Sequence, residues 1–105
     1  MNIPSKVKVG GVEYTVEELT DDPESIGLCL YDSLMIKIDL RLKMQKKQQV
    51  FIHELLHACF HEAGYMEQDE DMINRVGKVL YQVLMDNKSA LFGDYLNETL
   101  HMQNR

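Results

Sequence analysis

Long apolar runs, cysteines and excess basic charge are all scarce in this chain, and each scarcity removes a class of function. No stretch approaches the roughly 20 consecutive apolar residues of a membrane span. Residues Met1 to Gly11 lack the apolar centre of a signal peptide, so a cytoplasmic protein is expected. Only two cysteines occur among 105 residues. Cys29 falls in a predicted strand and Cys59 on the apolar face of a predicted helix, where both are expected to be reduced core residues. Eleven Lys and Arg against 17 Asp and Glu leave a formal net charge of −6, which argues against a surface for nucleic-acid phosphates. The one basic cluster, Lys43 to Lys47, reads as the solvated first turns of a helix. Repeats, low-complexity segments and linkers are also missing. What remains is one small domain over residues 1–105, with room for a single core.

The first forty residues read as β-structure. Val7 to Val9 and Val12 to Val16 flank Gly10-Gly11, a two-residue hairpin signal. A loop is expected at Thr20-Asp21-Asp22-Pro23. Gly27 to Tyr31 and Leu34 to Asp39 then form a second strand pair around Asp32-Ser33. Met35-Ile36-Lys37-Ile38-Asp39 mixes apolar and charged positions, which predicts a partly exposed or edge strand. The remainder reads as helix. One runs from about Lys43 to Glu62 and stops at Gly64, a suitable residue beyond a helix end. After a short loop from Tyr65 to Gln68, Asp69 is a fair N-cap. Met72, Ile73, Val76, Val79, Leu80, Val83 and Leu84 then recur at helical spacing to about Asn87. Leu91, Phe92, Tyr95, Leu96 and Leu100 suggest a shorter C-terminal helix packed on the core, despite Gly93. The predicted class is α+β: a small N-terminal antiparallel or mixed sheet, then helices.

The chemistry concentrates in Val50-Phe51-Ile52-His53-Glu54-Leu55-Leu56-His57-Ala58-Cys59-Phe60. Side chains four apart on a helix share a face. His53 and His57 can therefore aim two imidazoles at one point, as a zinc ion requires of two helical ligands. Glu54 sits close enough to act on a water without binding the ion. Ile52, Leu55, Leu56, Cys59, Phe60 and Ala63 spread an apolar sector over the same helix, which predicts the central packed helix of the domain. Isolated helical histidines are ordinarily surface or core residues, but two of them and a glutamate on a core helix are costly to bury without partners.

A catalytic zinc site takes three protein ligands and leaves one position open. His61 lies eight residues beyond His53, about 12 Å along the axis, too far to share one ion with it. It also lacks the glycine-containing reversal that returns a third histidine in longer zinc motifs. Glu67 and Asp69 read as loop and cap residues. Glu70 opens the second helix on a face shared with Ile73, Asn74 and Gly77, where a small residue lets the helices approach. Glu70 is thus the expected third ligand, with Asp71 and Glu67 as alternatives. An acid there would also favour the helix dipole without any metal.

A strand pair, a helix carrying His53-Glu54-x-x-His57 and a glutamate on the next helix together resemble the gluzincin metallopeptidases, the thermolysin-like group, in a minimal form. The lettering His53-Glu54-Leu55-Leu56-His57-Ala58 and Leu80-Tyr81-Gln82-Val83-Leu84-Met85-Asp86-Asn87 also resembles small phage- and prophage-encoded metallopeptidase-like proteins, related in outline to the ImmA/IrrE group. The resemblance implies a zinc-dependent endopeptidase acting on a peptide or protein, with ligands His53, His57 and Glu70 and general base Glu54. It further implies that the Met35 to Asp39 strand aligns an extended substrate. Thermolysin-like enzymes place an acid four residues after the glutamate ligand; here that position is Asn74. Their oxyanion-stabilising Tyr and His have only Tyr65, Tyr81 and His101 as loose counterparts. The competing expectations are a zinc-holding binding module that does not cut, and a latent enzyme whose tail, Asn97 to Arg105, places Glu98 or His101 on the metal.

Overall fold

The computed structural model describes residues 2–20 and 24–93. Of the expected Thr20 to Pro23 loop, Asp21, Asp22 and Pro23 lie outside the described residues. So do Tyr95, Leu96, Leu100 and the Asn97 to Arg105 tail with Glu98 and His101.

Four strands form one mixed sheet, followed by helices, an α+β arrangement. Strand β1 (Lys6–Val9) turns into β2 (Val12–Leu19) through Gly10 and Gly11. Both glycines have positive φ, 58° and 92°, as a tight hairpin turn of this hand requires. Strands β3 (Gly27–Leu30) and β4 (Met35–Asp39) make a second antiparallel hairpin. The two hairpins join along a parallel pairing of β2 with β4 that sets Val16 opposite Ile36, so the order is β1-β2-β4-β3. Strand β4 is therefore internal, paired on both sides, so the edge position is corrected, while the partial exposure is found at Met35 and Lys37. Its alternation reflects a sheet covered on one face, not a position at the margin. The free edge beside the helices belongs to β3.

Helix α1 (Met44–Glu62) covers that face. Tyr14, Val16, Ile36 and Ile38 of the sheet join Val50, Phe51 and Ala58 of α1 in one buried cluster. No side chain caps the start of α1. Just before it, Asp39 accepts from the Arg41 backbone N–H at 2.9 Å and pairs with the Arg41 guanidinium at 2.8 Å. At the far end Gly64, with φ 101°, lets the Tyr65 N–H reach back to the Phe60 carbonyl at 2.9 Å, a glycine-based helix stop. Tyr14, fully buried, donates to Glu62 Oε2 at 2.7 Å and ties this end of α1 to the sheet.

Helix α2 (Glu70–Asp86) returns along α1. The Asp69 side chain caps it, accepting from the backbone N–H groups of Asp71 at 2.9 Å and Met72 at 3.2 Å. A further helical stretch covers 88–93. Ile73, Gly77 and Tyr81 face inward, and Tyr81 donates to Gln48 Oε1 of α1 at 2.9 Å. Much of the expected apolar stripe does not. Met72, Val76, Val79, Leu80 and Val83 are exposed, as are Leu91 and Phe92, so among the described residues that outer arc is not part of the core. Cys59 and Ala63 are exposed too, which narrows the apolar sector predicted for α1. Both thiols are free. Cys29 is half-buried, and burial together with the charges of Glu54 and Glu62 pushes it up to about 12, leaving an inert thiol. No helix among the described residues is long and apolar enough to cross a membrane.

Candidate metal centre

The helical repeat sets His53 and His57 one turn apart on the flank of α1 that faces the start of α2. Their rings meet edge to face, with centroids 4.9 Å apart. Capping by Asp69 fixes where α2 begins, and so where its first residue, Glu70, projects. Glu70 Oε1 lies 3.0 Å from His53 Nε2, and Glu70 Oε2 lies 3.0 Å from His57 Nε2. One carboxylate thus bridges both imidazoles. These three side chains form a group that could hold a metal ion, with the candidate ligand atoms all within 4.8 Å of one another. Donor atoms sharing one tetrahedral zinc at 2.0–2.2 Å would sit about 3.3 Å apart, close to the two His–Glu70 separations. The donor set, two imidazoles and one carboxylate, also suits zinc chemically.

The rival carboxylates are elsewhere. Asp71 pairs with Arg75 at 3.0 Å on the exposed surface, Asp69 is occupied as the cap, and Glu67 is exposed outside the group. His61 stacks on Tyr31, with centroids 4.1 Å apart and planes 7° from parallel. Asn74, four residues after Glu70, is exposed and makes no hydrogen bond to either imidazole among the described residues.

Glu54 stands beside the group without belonging to it. Its Oε2 is 4.0 Å from His53 Nε2, and the residue is only 7% exposed. Burial raises its carboxyl to about 7; His57 nearby pulls the other way, and the charge of Glu70 pushes it further up. Gly27 makes room for it: a Cβ at that position would collide with Val50 Cγ1 and come within 3.0 Å of Glu54 Oε2. The absent side chain brings β3 close enough to wall in the carboxylate. Beyond lies a groove of about 1020 Å³, lined among others by Gly27, Val50, His53, Glu54, Glu70 and Tyr81.

Sequence reasoning missed Gln68. Its Oε1 lies 2.7 Å from His57 Nδ1, and its Nε2 donates to Tyr31 Oη at 3.1 Å and to the His57 carbonyl at 3.3 Å. Only its position two residues before Glu70 could have drawn attention to it. Of the loose oxyanion candidates, Tyr81 has its hydroxyl engaged with Gln48, Tyr65 packs its ring on Phe60 with centroids 5.5 Å apart, and His101 lies outside the described residues.

No family model matches this chain, and no match to it is found among curated proteins or solved structures. The site must be read from its own geometry.

Proposed function

We propose that this protein is a zinc-dependent metallopeptidase, with His53, His57 and Glu70 holding the ion and Glu54 serving as general base. The observation that carries the reading is the placement of Glu54. A metal held only for structure needs no buried carboxylate beside it facing an open groove. A bound zinc would supply positive charge that polarises a scissile carbonyl and acidifies a water molecule. Glu54 Oε2 would accept a proton from an attacking water and return it to the leaving amine. Gly27 and Val50 shield Glu54 from bulk water. The free edge of β3, in place of β4, offers backbone donors and acceptors to an extended peptide or protein substrate.

The test has two stages. Protein purified without chelator should carry about one zinc per chain by elemental analysis. A folded protein that holds no metal and refuses added zinc overturns the reading, and stoichiometric iron overturns the choice of zinc. Glu54→Gln should keep the metal and lose cleavage of an unstructured peptide library mapped by mass spectrometry. Equal cleavage by variant and wild type removes Glu54 from the mechanism.

A further inference from the structure

Gln68 is a neutral loop amide, yet its three contacts determine its orientation. The His57 backbone carbonyl can only accept a hydrogen bond. The amide nitrogen of Gln68 must therefore be the atom that faces it at 3.3 Å. The opposite assignment would set two acceptors against each other there, whereas Tyr31 Oη, 3.1 Å away, accommodates either orientation. With the nitrogen so placed, Gln68 Oε1 is the atom 2.7 Å from His57 Nδ1. An amide oxygen there requires a proton on Nδ1. The neutral imidazole then has a bare lone pair on Nε2, the atom 3.0 Å from Glu70 Oε2. Two acceptors at that distance call for a positive charge between them. The far end of the relay is also fixed, because Tyr31 is stacked on His61, one turn along α1 from His57.

We infer that Gln68 is the positioning residue of the site: it holds His57 in the Nδ1–H form and turns Nε2 toward Glu70. Tyr31, clamped by His61, holds the far end of the amide. Among the described residues His53 has no equivalent partner at its other ring nitrogen, so the two imidazoles are held unequally. Because the partner is an amide and not a carboxylate, it orients the ring without adding negative charge, and Glu70 remains the one anion in the ligand set. Outer partners of metal-binding histidines commonly govern affinity in this way.

The inference builds on the proposed metal site, but its first test needs no metal. Imidazole ¹⁵N shifts of the metal-free Glu70→Ala protein, the background for each tautomer comparison because it lacks the second acceptor facing Nε2, should show His57 as the Nδ1–H tautomer at a pH where the shifts themselves report a neutral ring. Gln68→Leu should convert His57 to a mixture or to Nε2–H, leaving the His53 signals and the far-ultraviolet circular dichroism unchanged. Gln68→Glu keeps an acceptor for Nδ1–H but loses the donor that faces the His57 carbonyl, so it should restore the Nδ1–H form only in part. Zinc titrated against a chromogenic chelator should then bind Gln68→Leu about 10- to 100-fold more weakly than wild type. An Nε2–H form of His57 in metal-free Glu70→Ala overturns the inference, as does an unchanged tautomer when Gln68→Leu is added to it. Equal zinc affinity in wild type and Gln68→Leu overturns it as well. A wild type that binds no zinc overturns the metallopeptidase reading, and the tautomer measurement still decides the role of Gln68.

Discussion

Helices α1 and α2 run side by side, yet they are anchored very differently. On α1 the buried set includes Val50, Phe51, Ile52 and Ala58, and it extends to the polar Gln48 and Glu54. On α2 it is Ile73, Gly77 and Tyr81 alone. The more regular apolar pattern belongs to α2, where most of it faces outward. Depth of anchoring, and not regularity of pattern, decides which helix can carry chemistry. Two candidate ligands and the candidate base sit on the helix gripped by the sheet. The other helix contributes one side chain at its first residue, where the Asp69 cap holds the backbone. The site is thus built where the weakly docked helix is best fixed.

The contrast can be broken most severely from α1. Phe51→Ala empties a position that is 4% exposed and should cost about 3–5 kcal/mol in urea unfolding. Val79→Ala, at 58% exposure on α2, should change stability by no more than about 0.5 kcal/mol. Equal losses would mean that α2 is covered as thoroughly as α1. Gly27→Ala should cost about 1–3 kcal/mol, because the added methyl meets the stiff Val50 side chain as well as Glu54. Loss of activity with unchanged stability would show that β3 yields and only the carboxylate moves. Removing the cap with Asp69→Ala should cost about 1 kcal/mol and weaken zinc binding through Glu70, an effect a site anchored wholly on α1 would not feel.

The smallest expected effect is on acid stability. Arg41 beside Asp39 holds that carboxyl at about 2, below its ordinary 3.8. A depressed folded-state value stabilises fully above the unfolded value and loses that stabilisation as pH falls toward 2. Thermal unfolding from about pH 5 down to about pH 2 should therefore fall more steeply in wild type than in Arg41→Ala, which has less to lose. Parallel curves would remove the Asp39 pair from the acid response.

Much of this architecture is legible in the chain because punctuation and period agree. Gly10-Gly11 marks a turn only residues tolerant of positive φ can make. Gly64 and Asp69 bracket the interhelical loop, and α1 occupies Met44–Glu62 against an expectation of Lys43 to Glu62. The bringing together of His53, His57 and Glu70 follows from helical spacing plus a cap. Strand order was not legible. The alternation in Met35–Asp39 reports that one sheet face is covered, and a central strand with one open face shows the same pattern as an edge. Burial of α2 was misjudged because an apolar stripe records what a helix could bury, not what packs on it. Gln68 and Tyr31 carry no periodicity at all; their roles arise from a turn and a loop meeting in space, 37 residues apart.

The joining of two hairpins by one parallel seam also bears on the order in which the chain can fold. Each hairpin closes over a short local turn, and such closure takes microseconds. The β2–β4 seam must bring together Thr15 and Met35, Leu19 and Asp39, enclosing the whole of β3, so it carries the larger loop entropy. Helix α1 packs across strands from both hairpins and cannot seat fully until that seam exists. Two histidines one turn apart form with the helix itself, early and cheaply. The wall that Gly27 sets beside Glu54 needs more, the seating of α1 on the β3–β4 hairpin.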